Sequence, residues 1–252
     1  MNSNAYWKEK YDNFLKDMNK EYLIINGDCD WEERYLRVLR FNHWNKIDNV
    51  HKLDLSNNDI EWLAVGEMKF AIPEEVMKEI VNFTELRELD ISGNFMEELP
   101  NEIFNIVNLK ELNLSNNKIK EIPVEIANLV ELRKLNLSKN KLIKFPEGIC
   151  NLINLENLYI SGDELHYVLM KNSKLNQFKI PTEIGNLIQL KELNLSGNEL
   201  KEIPKEIGNL VQLISLNLAE NKLKELPKEI GNLVLLKELN LSVNCFEEIP
   251  KE

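Results

Sequence analysis

The sequence is poor in the residues that carry chemistry. Its 252 residues hold three cysteines (Cys29, Cys150, Cys245) and three histidines (His43, His51, His166). The cysteines are odd in number, far apart and without metal-ligand spacing, so neither a disulfide framework nor a zinc site is expected. A reducing cytoplasm is the simplest location. The scattered histidines are expected to be surface or satisfied core residues, with no metal and no cofactor. No nucleophile is paired with a base, and no G-x-G-x-x-G or Walker loop occurs, so an enzyme within these residues is not expected. No apolar run is long enough to span a bilayer. The first ten residues, Met1 to Lys10, are polar and lack the apolar core of a signal peptide. Positive charge is also scarce: 31 Lys and Arg face 42 Asp and Glu, for a net charge of −11. That balance argues against nonspecific binding to nucleic acid or to an anionic membrane.

What is abundant is repetition. The stretch Leu190-Lys191-Glu192-Leu193-Asn194-Leu195-Ser196-Gly197-Asn198-Glu199-Leu200 runs on to Ile203-Pro204 and Ile207-Gly208-Asn209-Leu210, and then starts again. Leu-x-Leu has the period of a short strand with one buried face. The Asn after it sits where the chain turns, and stacked copies of its side chain can form a ladder that satisfies neighbouring backbone. The Pro opens a short helical or 3₁₀ segment, where its missing N–H matters little. A single unit buries too few apolar residues to offset the ordering of its backbone, so stacking has to supply the rest.

Eight strands are expected, at 50–55, 86–91, 109–114, 132–137, 155–160, 190–195, 213–218 and 236–241. The ladder position reads Asn58, Asn94, Asn117, Asn140, Asp163, Asn198, Asn221 and Asn244, with spacings of 36, 23, 23, 23, 35, 23 and 23. All eight prolines fall where a helical side begins. Residues 50–250 on this pattern resemble the 23-residue class of leucine-rich repeat. The run Leu226-Pro227-Lys228-Glu229-Ile230-Gly231-Asn232-Leu233 is similar to repeats of bacterial, spirochaete-like proteins and of eukaryotic cytoplasmic scaffolds. The resemblance implies an α/β solenoid, a curved horseshoe with a parallel sheet on its concave side and short helices or 3₁₀ turns on the convex side. It also implies a non-enzymatic protein-binding function, usually through the concave face. Parallel crossovers make the coil right-handed.

The chain then divides into residues 1–49 and the repeat array at 50–252. The first segment holds Trp7, Trp31 and Trp44 and is expected to form a helical cap, with helices at about 4–20 and 31–46. The array departs from its period twice, with insertions at about 64–77 and 164–180. Both are expected to emerge on one edge of the horseshoe.

Residues between the inward leucines should face the concave side. Tyr159 is the only aromatic in the central column, which otherwise carries Asp54, Asp90, Asn113, Asn136, Asn194, Asn217 and Asn240. Aromatic side chains on polar surfaces are favoured anchors. The second insertion is locally basic and follows closely, bringing His166, Tyr167 and Lys171. The expected partner-binding set is therefore Tyr159, Asn157, Asn136, Lys134, Glu111, Asn113, Glu192 and Asn194, with His166, Tyr167 and Lys171 as a rim. The partner is a protein of unspecified identity. A secreted or surface-displayed adhesion or virulence protein is one alternative, if the chain is a piece of a longer exported protein. A targeting module for an enzyme located elsewhere is another. The sequence stops at Pro250-Lys251-Glu252, where a next helical side would begin. Leu239, Leu241, Phe246 and Ile249 are thus expected at an open end that a continued chain, a partner or a second copy would cover.

Overall fold

A computed structural model of the protein describes residues 22–24, 51–56, 80–81, 83–162 and 178–247. Within them, nine short strands form one parallel sheet in sequence order: β1 (Tyr22–Ile24), β2 (Lys52–Asp54), β3 (Glu88–Asp90), β4 (Glu111–Asn113), β5 (Lys134–Asn136), β6 (Asn157–Tyr159), β7 (Glu192–Asn194), β8 (Ser215–Asn217) and β9 (Glu238–Asn240). Strands β2 to β9 are the eight expected ones, each trimmed to three residues. Strand β1 was not expected. It lies in the segment read as a helical cap and pairs in parallel with β2, Leu23 against Leu53. The helical stretches expected at about 4–20 and 31–46 lie outside the described residues, as do the bodies of both insertions.

The strands are short because each repeat spends only one x-Leu-x triplet on pairing. The register is uniform: Leu53, Leu89, Leu112, Leu135, Leu158, Leu193, Leu216 and Leu239 lie in one row across β2 to β9. All but Leu239 are buried, and they belong to one continuous apolar core. Among the described residues, six 3₁₀ helices close the other side: Asn101–Asn105, Val124–Asn128, Glu147–Asn151, Thr182–Asn186, Lys205–Asn209 and Lys228–Asn232. Each begins directly after a proline whose carbonyl accepts the first i→i+3 bond, at 3.0–3.2 Å. An inward Ile fills the third position of every one, as in Ile103 and Ile207.

The ladder asparagines join neighbouring repeats. Asn117 Nδ2 donates to the carbonyls of Ile91 and Leu114, each at 3.0 Å, and its Oδ1 accepts from the backbone N–H of Asn94 and Met96 at 2.9 and 3.0 Å. Asn221 repeats this arrangement against Asn198 and Leu200. Asn94 and Asn198 differ. Among the described residues their buried Oδ1 atoms have no donor. These are the first ladder positions after the two insertions, 36 and 35 residues beyond the preceding one in sequence instead of 23. Among the described residues, the one before each ladder Asn adopts a left-handed conformation, from Gly93 (φ 68°) through Lys139 (φ 57°) to Val243 (φ 54°). Only glycine takes that conformation without steric cost. Phe178, at the end of the second insertion, returns to the core and meets Phe145 edge-on at a centroid distance of 6.0 Å.

Candidate functional site

In β2 to β9 the flanking residues of the x-Leu-x triplet turn away from the core onto the opposite sheet face. Over β2 to β5 this face forms an open hollow of about 250 Å³. Four of the expected residues, Glu111, Asn113, Lys134 and Asn136, line it. Lys52, Asp54, Glu88 and Asp90 complete its walls, and Leu53, Leu89 and Leu112 form its floor. These four wall residues were not in the expected set, although the same strand spacing places them there. The hollow thus carries two lysines against four carboxylates.

Its polar groups are partly committed to one another. Lys52 Nζ lies 2.7 Å from Glu88 Oε2, and Lys134 Nζ lies 3.8 Å from Glu111 Oε2. Asp90 Oδ1 accepts from the backbone N–H and hydroxyl of Ser92 at 2.9 and 2.6 Å, while its Oδ2 accepts from Asn113 Nδ2 at 2.8 Å. Asp54 Oδ1 accepts from the Ser56 N–H at 2.9 Å. Each Asp or Asn of this column therefore holds the chain as it leaves its strand.

The second cluster lies on β6 and β7. Tyr159 Oη donates to Glu192 Oε2, and Asn157 Nδ2 donates to Tyr159 Oη at 3.5 Å. Partial burial, reinforced by the bond to Glu192, pushes the phenol up to about 12. Tyr159 sits between Asn136 and Asn194 in register. Next to this cluster, Glu156 bridges its neighbouring repeats: Oε2 accepts from Lys191 Nζ at 2.6 Å and Oε1 from Arg133 Nη1 at 2.8 Å. Those two cations, Lys191 first, hold its carboxyl below the usual range against a smaller opposing effect of burial. The eight expected residues on β4 to β7 thus share one face. His166, Tyr167 and Lys171 lie outside the described residues.

Chemically, this face offers carboxylates, amides and one tethered phenol. Such groups can accept and donate hydrogen bonds over several adjacent strands. Among the described residues, no three His, Cys, Asp or Glu side chains converge as a metal site, and no helix is long and apolar enough to cross a membrane. Cys150 is buried, and burial pushes its thiol up to about 12, which leaves it an inert core residue.

The model of a leucine-rich repeat region matches residues 61–180 and 165–252. Among solved structures, a leucine-rich-repeat protein of Leptospira interrogans is 36% identical, with a TM-score of 0.66, over 83% of this chain and 53% of that one. A plant peptide hormone receptor, solved in complex with its peptide RGF2, is 33% identical with a TM-score of 0.60, over 77% of this chain and 28% of that one. The ectodomain of an Arabidopsis thaliana membrane receptor kinase, in complex with Casparian strip integrity factor 2, is 28% identical with a TM-score of 0.60, over 80% of this chain and 22% of that one. The chain thus spans about half the length of the Leptospira protein and less of the plant receptors. No curated protein matches the sequence.

Proposed function

The chain belongs to the leucine-rich-repeat family, and on that premise we propose that it is a non-enzymatic protein-interaction module that docks a protein partner on its concave sheet face. The observation that carries this reading is the face itself. Seven consecutive strands, β2 to β8, bury their central leucine and turn both flanking residues outward, which makes a rigid polar surface with an open hollow and a tethered aromatic. Rigid surfaces lose little entropy on binding, and an aromatic held in place favours a hot spot. The peptide complexes of the two plant receptors support protein or peptide ligands for this family. The widely spaced, odd cysteines support a reducing compartment, the cytoplasm.

Tyr159→Ala removes the ring without touching the core. We expect it to weaken partner binding by more than about 1 kcal/mol while circular dichroism and the melting transition stay in place. Calorimetry with a partner captured from the source cell would check this. Unchanged affinity would remove Tyr159 from the docking surface.

A further inference from the structure

The stretch joining each 3₁₀ helix to the next strand reads Asn-[Leu/Ile]-[Val/Ile]-x-Leu. Its first aliphatic residue, as in Leu129 or Leu210, is buried in all six copies. The next one is not. Val107, Val130, Ile153, Ile188, Val211 and Val234 are 50, 52, 58, 51, 43 and 81% exposed. All six are β-branched aliphatics at the same position of six consecutive repeats, so they form one apolar ridge along the edge of the solenoid at the strands' N-terminal ends. The core does not need them, because the buried aliphatic residue before each already fills it.

The ridge is flanked by uncharged groups. Each of the six helices ends on an exposed Asn two residues before it. On the other side stand Asn108, Glu131, Asn154, Gln189, Gln212 and Leu235, all exposed. These eighteen positions carry one charge, Glu131, in a chain that is 29% charged with a net charge of −11. Two copies of so acidic a molecule repel where their carboxylates face each other, and these eighteen positions bring only Glu131 to such a contact. Amides both donate and accept, so an amide border can pair with its own copy.

We propose that this ridge is a homodimer interface, formed with a second copy of the chain through a two-fold axis running from the concave to the convex side. That operator reverses the ridge. It sets Ile153 of one copy against Ile188 of the other, Val130 against Val211, and Val107 against Val234. It also places Glu131 opposite Gln212, an amide that can donate to it, rather than opposite a second carboxylate. Eighteen residues a side fall just below the roughly 20–30 of a standard interface, so the dimer is reversible and concentration-dependent. Both concave faces stay open in it, which makes the assembly bivalent for their partner.

Sedimentation equilibrium of the full chain over a concentration series tests this. The expected mass rises from one 29.5 kDa chain toward two. Ile153→Glu with Ile188→Glu sets carboxylates against each other and is expected to hold the protein monomeric at every concentration. Ile153→Lys with Ile188→Glu pairs opposite charges across the axis and is expected to restore the dimer. Circular dichroism would confirm that each variant folds. A wild type that stays monomeric, a dimer that survives the double glutamate variant, or a Lys/Glu variant no better than the double glutamate one would each overturn the proposal.

Discussion

Asn140 shows how much one side chain does in this fold. Its Nδ2 donates to the carbonyls of Leu114 and Leu137 at 3.0 and 2.8 Å, and its Oδ1 accepts from the Ile119 N–H at 3.1 Å. Removing it strands backbone groups of two repeats inside the core, each at about 1–3 kcal/mol. Asn140→Ala is therefore expected to lower unfolding stability by at least about 2 kcal/mol, read from the denaturant midpoint. Tyr159 gives a residue-scale signature of a different kind. Its phenol is held up to about 12 in the folded protein, against 10 ordinarily. A raised folded value means that its contribution to stability is complete below pH 10 and is lost as pH rises from 10 to 12. In a spectrophotometric titration of the tyrosinate band, Tyr159→Phe should remove a late-ionising component and leave the earlier ones. Loss of an early component instead would contradict the bond to Glu192.

At the scale of the element, the 3₁₀ helices set how closely repeats approach on the convex side. A Cβ on Gly208 would lie 2.5 Å from the Glu229 carbonyl oxygen in the next helix, whereas one on Gly231 would meet nothing within 4 Å. Gly208→Ala is expected to destabilise the array by about 1–3 kcal/mol, and Gly231→Ala to leave it nearly unchanged. Paired thermal melts of the two variants would check this. These helices were legible in the sequence because proline marks each start and an Ile at fixed spacing marks each inward face. The eight array strands were legible for the same reason, a period of 23 that recurs with its leucines in phase. Strand β1 was not, since Tyr22-Leu23-Ile24 has no repeat signature and is too short to show alternation. The left-handed turn before each ladder Asn was also hidden. Its residues run from Gly93 through Asn116 and Lys139 to Val243, so residue type marks it only where glycine stands.

At the scale of the whole molecule, register alone located much of the candidate face. Glu111, Asn113, Lys134 and Asn136 line the hollow because uniform pairing stacks equivalent positions. The bond between Tyr159 and Glu192 depends on how two side chains reach across repeats 33 residues apart, which no local pattern shows. The apolar ridge escaped notice for the opposite reason: an aliphatic residue beside inward leucines reads as core until exposure separates them.

The concave sheet is the proposed docking face. A photo-cross-linking residue placed at Asn113, on the hollow, or at Glu125, exposed on a convex helix, tests it directly in extract of the source cell. A cross-linked partner is expected from position 113 and none from position 125. A partner captured from position 125 and not from position 113 would contradict it.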